Sequence, residues 1–274
     1  MSEALRTLLE ALQRDAVLAQ PARLRERIEA LDRLDAWMPG EGAWARRAQA
    51  MRQRLEAANA QEYEAIRHAI RQGHGREAMR RASQREASGA GDAYGWRDEL
   101  LAGVLPFEPP GDIAALAPEM VAYQPTPARH VFDLLDRLAL TGDDVLVDLG
   151  SGLGHVPLLA AICSDARAVG IEIERAYVES ARRCAQDLQL ANAHFLHGDV
   201  READFGTGSV FYLYTPFTGS VLRDVLDALR RQAGCRAFRV CGYGPCTQAL
   251  AGEPWLLPEA PLAADRAAIY RTRS

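Results

Sequence analysis

The stretch VLVDLGSGLGHV (Val145–Val156) is the most informative part of this sequence about its fold. Its first letters, Val145–Val147, are apolar and β-branched or aliphatic, which predicts a short buried strand. A helix is predicted from about His155, so the loop between them lies at a helix N-terminus, where unpaired N–H groups favour a bound ligand. The loop contains three closely spaced glycines, which allow positive φ values and close backbone approach: Gly150, Gly152 and Gly154. The stretch therefore predicts a strand, a ligand-binding loop and a helix in succession.

Strands and helices alternate on both sides of this loop. Upstream, Thr126-Pro127 predicts a helix start, with Thr126 as the N-cap and proline at the first helical position. Downstream, the pattern predicts strands at Ala168–Ile171, His194–Leu196, Val210–Tyr214 and Ala237–Cys241, and helices at Ala176–Leu190 and Val221–Gln232. Such alternation is typical of βαβ units. The expected fold class is α/β, a doubly wound Rossmann-like sheet.

The first ninety residues follow a different pattern. Leu5, Leu8, Leu9 and Leu12 form one stripe of an amphipathic helix, and Pro39-Gly40 predicts a break before a longer helix. Ser88–Asp92 is a linker of small residues. We expect an α-helical N-terminal arm over residues 1–90, acting as a lid or substrate selector, then a linker segment over residues 91–119. The ligand-binding α/β domain is expected over residues 120–274.

Composition excludes several classes of function. All 32 basic residues are arginine, so the chain has no Schiff-base lysine and no P-loop, whose motif requires lysine. The net charge is -5, so a general attraction for nucleic acid or an anionic membrane is not expected. Residues 1–90 hold 16 arginines and 13 acidic residues, whereas residues 91–274 hold 16 and 24.

Cysteine usage indicates the compartment. Five cysteines are an odd number, which disfavours a disulfide framework and favours a reducing environment. Cys241 and Cys246 lack the nearby His or Cys residues that a zinc site needs, so no metal is expected. No apolar run approaches the length of a membrane span. We therefore expect a cytoplasmic protein with no membrane partner.

Two acids beyond the glycines narrow the choice of ligand. Glu172 ends the next predicted strand, 22 residues after Gly150, where a carboxylate can accept both hydroxyl hydrogens of a ribose. Asp199 follows the third strand and can contact an adenine edge. A dinucleotide loop would have its third glycine one position later than Gly154, and Asp148 would repel a pyrophosphate. The ammonium group of S-adenosylmethionine would instead be attracted, so this cofactor is favoured over NAD, with an unliganded loop as the remaining alternative.

The segments VDLGSGLG, GIEIE and HGD resemble the S-adenosylmethionine-dependent methyltransferases of the Rossmann-like class across residues 120–274. The segment VAYQPTP (Val121–Pro127) before the core and the aromatic strand ending near Phe217 resemble the histone-lysine methyltransferases of the disruptor-of-telomeric-silencing type and their bacterial relatives. The chain departs from that type where Gln124-Pro125 replace Gly-Glu, and where Thr215-Pro216 replace an Asn before the Phe.

The resemblance implies a role for each matching position. Tyr123, Pro125 and Thr126 would close over the methionine end of the cofactor. The loop residues Asp148, Gly150, Ser151, Gly152 and Gly154 would line that end. Glu172 would hold the ribose, Ile173 would pack on adenine, and Asp199 would lie near the adenine amine. Tyr214 would complete the cofactor-binding set.

The acceptor is expected at the segment Tyr214–Phe217, because reacting groups gather at the carboxyl ends of parallel strands. Methyl transfer from a sulfonium is an in-line displacement that positioning and desolvation can accelerate. Candidate catalytic residues are Thr215, Tyr214 and His155. The alternative for Thr215 is a turn that shapes the pocket, and for His155 a helix residue packed beside it. A small-molecule O or N acceptor is expected; a protein (lysine-type) acceptor and a non-catalytic cofactor-binding module are the alternatives.

Overall fold

The chain forms two compact units, Met1–Leu105 and Pro106–Ser274. A computed structural model describes residues 3–15, 18, 20–36, 42–83, 95–115 and 117–273. The predicted linker segment over residues 91–119 is divided between the two units. The predicted break at Pro39-Gly40 and the small-residue linker Ser88–Asp92 lie outside the described residues.

The first unit is all-helical in its described residues, which confirms the predicted all-α N-terminal region. Its helices are α1 Glu3–Arg14, α2 Leu24–Asp35, α3 Ala43–Arg71, α4 Gly75–Ser83 and α5 Trp96–Val104. The predicted stripe of α1 is buried at Leu8, Leu9 and Leu12, and it packs with Leu34 of α2 and Met51 of α3 in one core. The longest of these helices, α3, has 29 residues and is amphipathic. No helix among the described residues is both long and apolar enough to cross a membrane.

A buried arginine ties the start of this unit to its long helix. Arg27 on α2 is 1% exposed. Its Nε donates to Asn59 Oδ1 at 2.6 Å, and its Nη1 donates to the carbonyl oxygens of Leu18 at 3.0 Å and Gln20 at 2.6 Å. A guanidinium can be buried only when such acceptors replace its water shell. Arg27 therefore fixes the segment before α2 against α3.

The second unit is α/β. Its strands are β1 Val145–Leu149, β2 Arg167–Glu172, β3 Ala193–His197, β4 Val210–Leu213, β5 Arg239–Gly242, β6 Leu256–Pro258 and β7 Ala268–Thr272. Its helices are α6 Ala128–Leu138, α7 His155–Cys163, α8 Arg175–Asp187, α9 Gly219–Ala233 and α10 Cys246–Ala251. Every predicted strand and helix of this region is present, with ends within a few residues of the predicted ones.

These strands form one sheet in the order β3-β2-β1-β4-β5-β7-β6. The pairs from β3 to β5 are parallel, whereas β7 is antiparallel to both β5 and β6. Chain order runs outward from β1 to β3 and then returns to β4 on the other side of β1. This confirms the doubly wound Rossmann-like fold, and the reversal beside β1 is where such sheets open a crevice for ligands.

One predicted helix start is wrong by one residue. The expected cap was the Thr126 side chain, but α6 begins at Ala128 with Pro127 as its N-cap, and no side chain caps it. The Thr126 hydroxyl instead forms a hydrogen bond of 2.8 Å with the hydroxyl of Tyr212. That hydroxyl is buried on β4 and needs a partner, so tertiary contact overrides the local capping preference.

Replacing Arg27 tests the stability of the helical unit. Arg27→Ala leaves the buried acceptors on Asn59, Leu18 and Gln20 without a donor, so we expect the free energy of unfolding to fall by about 2–4 kcal/mol. The measurement is urea and thermal denaturation of the full chain, followed by helical circular dichroism. Arg33→Ala on the exposed face of the same helix is the control and should change the free energy of unfolding by less than about 0.5 kcal/mol. Equal effects of the two substitutions would contradict the role given to Arg27.

Candidate cofactor and acceptor site

A cavity of about 830 Å³ lies at the carboxyl ends of β1, β2 and β4, where the sheet order reverses. Its volume falls in the upper part of the range of roughly 300–1,000 Å³ that is usual for small-molecule sites. Most of the predicted site residues line it: Tyr123, Pro125, Thr126, Asp148, Gly150, Ser151, His155, Glu172, Ile173, Asp199, Tyr214 and Thr215. Gly152 and Gly154 were also predicted but do not line the cavity.

The glycine loop is shaped by the chain's own side chains. Gly150 and Gly152 have φ values of 87° and 53°, a region that L side chains rarely adopt. A Cβ at Gly150 would clash with Pro216, and one at Gly152 would clash with the ring of Tyr123. The glycines thus let two cavity walls approach the loop. Gly154 lies directly before α7, where a Cβ would clash with the ring of Phe195.

Glu172 holds the loop from the end of β2. Its Oε2 accepts a hydrogen bond from the Gly152 N–H at 2.8 Å, and its Oε1 accepts one from the Glu174 N–H at 2.9 Å. A carboxylate has about four lone-pair sites, so both oxygens keep acceptor capacity toward the cavity. Gly152 therefore contributes to the site through its N–H group, by orienting the predicted ribose acid.

Asp148 is a buried acid beside a second acid. It is 4% exposed and lines the cavity next to Glu172. Burial, and then the charge of Glu172, raise the pKa of Asp148 well above its usual value. No salt bridge within the described part of the chain compensates this carboxyl. A bound cation would therefore favour its ionised form.

Beyond the carboxyl ends of β2 and β3, the apolar side chain of Ile173 and the ion pair between Asp199 and Arg201 line the cavity. Ile173 is 46% exposed although it lines the cavity. Asp199 accepts hydrogen bonds from both the backbone N–H and the guanidinium of Arg201, and the Arg201 hydrogen bond is the main cause of its lowered pKa. The sequence analysis missed Arg201. Little in the sequence singles out Arg201, because the chain has 32 arginines and one close to Asp199 is not distinctive.

Thr215 occupies a strained turn after β4. Its φ is +40°, which is unusual for a β-branched residue. Its Oγ1 donates to the Tyr243 carbonyl at 3.2 Å and accepts from the Cys246 N–H at 3.0 Å. The hydroxyl thus ties the loop after β4 to the loop after β5. This geometry favours the turn that shapes the pocket, while Tyr214 directly before it faces the cavity.

His155, the first residue of α7, is bonded to Tyr123. The Tyr123 hydroxyl and His155 Nδ1 are 3.1 Å apart, and the ring of Phe107 lies 4.8 Å from the imidazole. Burial lowers the pKa of His155 to about 4. The imidazole is therefore neutral near pH 7 and is a weak base, so the geometry favours packing beside the pocket over proton transfer.

Residues 113–115 and 117–126 contribute to one wall of the cavity, and two glutamates that the sequence analysis missed anchor them. Glu174 Oε2 accepts from the Ala114 N–H at 3.0 Å. The Glu119 carboxylate accepts from the Ser220 hydroxyl at 2.7 Å and from N–H groups at the start of α9. No local pattern reveals such contacts, because about 60 and 101 residues separate the partners in the chain.

The chain is similar to known methyltransferases in sequence and in structure. Residues 140–215 match the family model of a methyltransferase domain. The RNA methyltransferase from Salinibacter ruber, solved with S-adenosyl-L-homocysteine, is 30% identical over 54% of this chain and 92% of its own, with a TM-score of 0.44. The putative methyltransferase yhhF from Escherichia coli is 20% identical over 54% and 85%, with a TM-score of 0.43.

A third similar structure is the geranyl diphosphate C-methyltransferase from Streptomyces coelicolor, solved with Mg²⁺, geranyl-S-thiolodiphosphate and S-adenosyl-L-homocysteine. It is 18% identical over 49% of this chain and 60% of its own, with a TM-score of 0.40. A comparison with curated protein sequences gave no match.

The region matched by the family model runs through β1 to β4 and contains the glycine loop, Glu172 and Asp199. The Salinibacter relative is 30% identical to this chain over 92% of its own length. The chain therefore belongs to the S-adenosylmethionine-dependent methyltransferases and is an enzyme that uses this cofactor.

Proposed function

We propose that this enzyme methylates an oxygen or nitrogen atom of a small, uncharged molecule. The observation that carries the proposal is the division of charge within the cavity. Its acidic side chains belong to β1, to the end of β2 and to the residues that follow β2 and β3: Asp148, Glu172, Glu174 and Asp199. The segment Tyr214–Phe217, together with Gln124 and Pro245, contributes neutral side chains. A neutral acceptor loses little hydration energy on entering such a lining.

The residues present fit the cofactor. Asp148 would hold the ammonium of the methionine end, since that cation would relieve the burial of its charge. Glu172 would accept from the ribose hydroxyls, and the exposed surface of Ile173 would cover the adenine. Asp199 would lie at the adenine amine beside Arg201. When bound, S-adenosylmethionine supplies an activated methyl group.

The chain itself contributes positioning and exclusion of water. Tyr214, which faces the cavity after β4, would orient the acceptor atom with its hydroxyl, which can both donate and accept a hydrogen bond. Thr215 would hold the turn that presents Tyr214. Effective molarities show that such orientation supplies a large part of a rate enhancement, about 7–11 kcal/mol at most.

A protein acceptor of the lysine type is the second candidate. It is supported by the segment Val121–Pro127, whose residues Tyr123, Pro125 and Thr126 line the cavity as the resemblance to the histone-lysine type requires. It is opposed by the departures at Gln124-Pro125 and Thr215-Pro216.

We also propose a cytoplasmic location, supported by five free thiols, and a role for residues 1–90 in selecting the acceptor.

Cofactor binding is tested by calorimetric titration with S-adenosylmethionine and S-adenosylhomocysteine. We expect both to bind, and we expect Glu172→Ala to weaken binding by about 2–3 kcal/mol, because charge-assisted hydrogen bonds to the ribose are lost. Glu179→Ala, an exposed glutamate on the neighbouring helix α8, is the matched control and should leave the affinity unchanged. An unaltered affinity of the Glu172 variant would show that another acid holds the ribose.

Asp148→Asn should have opposite effects on stability and binding. Because the folded protein raises the pKa of Asp148, its neutral form stabilises the fold at low pH, and this contribution is lost as the pH rises through the raised pKa. The Asn variant should therefore gain thermal stability relative to the wild type as pH increases. Its affinity for S-adenosylmethionine should fall about tenfold or more, since the ammonium loses its counter-charge.

The measurement is the melting temperature of both proteins from about pH 5 to pH 9, with calorimetry for affinity. The control is Asp143→Asn, an exposed aspartate in the turn before β1. A variant that is less stable than the wild type at high pH would contradict the assignment of a raised pKa.

The acceptor class is tested with methyl-labelled cofactor and a fractionated lysate. Label in the low-molecular-mass fraction is expected, because the neutral end of the cavity suits a small molecule. Label in protein would support the second candidate instead. Label in RNA would contradict both.

A further inference from the structure

Four aromatic side chains are in contact in series, and three of them, Tyr123, His155 and Tyr177, line the cavity. The ring of Phe107 lies 4.8 Å from that of His155, and the Nδ1 of His155 is 3.1 Å from the Tyr123 hydroxyl. The ring of Tyr123 in turn lies 5.0 Å from that of Tyr177. The series joins three parts of the α/β unit: the segments before α6, the start of α7 and the start of α8.

Tyr123 is the member of this series that meets the glycine loop. Its ring fills the space beside Gly152, where a Cβ would clash with it. The N–H of the same glycine donates to Glu172. A rotation of the Tyr123 ring would therefore disturb both the loop and the acid that it orients.

The phenolic oxygen of a tyrosine lies on the axis of the ring, so a hydrogen bond to it fixes the direction in which the side chain points. His155 supplies that bond, and its backbone is fixed because it begins α7 directly after the loop. The imidazole is neutral near pH 7, since burial lowers the pKa of His155 to about 4. It thus adds no positive charge beside a cationic cofactor. Either neutral tautomer can pair with the hydroxyl, as donor or as acceptor.

We infer that His155 is a positioning residue that acts through Tyr123. Its Nδ1 holds the Tyr123 hydroxyl and so fixes the ring against Gly152, at the loop that carries the methionine end of the cofactor. The inference rests on the placement of that end given under the proposed function. It assigns His155 a task in cofactor binding that needs no proton transfer.

A double-mutant cycle on the affinity for S-adenosylmethionine tests the pair. Tyr123→Phe removes the hydroxyl, and His155→Leu removes its partner. Each should weaken binding about three- to tenfold, the usual worth of one hydrogen bond. The double variant should bind as weakly as either single variant, because both remove the same interaction. Additive losses would overturn the coupling.

Two further measurements separate positioning from a general structural role. His155→Asn places an amide where Nδ1 stood, so it should restore most of the affinity. 5′-Methylthioadenosine keeps the adenine, ribose and sulfur but lacks the amino-acid portion, so Tyr123→Phe and His155→Leu should weaken its binding less than they weaken the binding of S-adenosylmethionine. Equal weakening of both ligands, or no rescue by His155→Asn, would overturn the inference.

The outcomes also distinguish this inference from the cofactor assignment itself. A wild-type protein that binds neither ligand would overturn both. The role of His155 alone would be overturned by a different result. In that case the wild type binds S-adenosylmethionine, and Tyr123→Phe, His155→Asn and His155→Leu all bind it as well as the wild type does. Tyr123→Phe and His155→Asn preserve the shape of the site, so the comparison of these two with the wild type stands even if His155→Leu does not fold.

Discussion

The hydrogen bond from the Gly152 N–H to the Glu172 carboxylate is the interaction on which the site depends. It joins the loop after β1 to the end of β2, two segments that lie 20 residues apart in the chain. Gly152 makes this bond at a positive φ, and its missing side chain leaves room for the ring of Tyr123. The contact thus links the loop, the acid and one cavity wall, while backbone bonds from Gly150 and Ser151 to Ile171 hold the start of the loop.

The sequence predicted the parallel strands of the α/β unit and the helices between them, and most of the predicted site residues line the cavity, because these features depend on local pattern. Alternating apolar segments place strands, glycines mark the loop, and the carboxyl ends of parallel strands must meet. Long-range contacts left no such pattern. The hydroxyl partner of Thr126, the anchoring of residues 113–115 and 117–126 by Glu174 and Glu119, and the antiparallel β7 all depend on residues far apart in the chain.

Electrostatics divides the cavity into two regions of different chemistry. Near Asp148 and Glu172, burial and the neighbouring acid raise the pKa of Asp148, so that ionising Asp148 in the free protein costs stability until a cation is bound. Near Tyr214, the lining is neutral, and the hydroxyl of Thr215 is already used between two loops. Under the proposed roles, affinity for the cofactor depends mainly on the residues near Asp148 and Glu172, and choice of acceptor on those near Tyr214. The two sets meet where Pro216 packs against Gly150.

The turn at Thr215 limits how acceptor choice can change over evolution. Glycine would relax its backbone at a φ of +40°, yet only a hydroxyl bridges the Tyr243 carbonyl and the Cys246 N–H. The loops after β4 and β5 consequently behave as one rigid piece. With the acceptor at Tyr214–Phe217, as proposed, a substitution of Thr215 that altered acceptor choice would also release the loop after β5 and so cost stability.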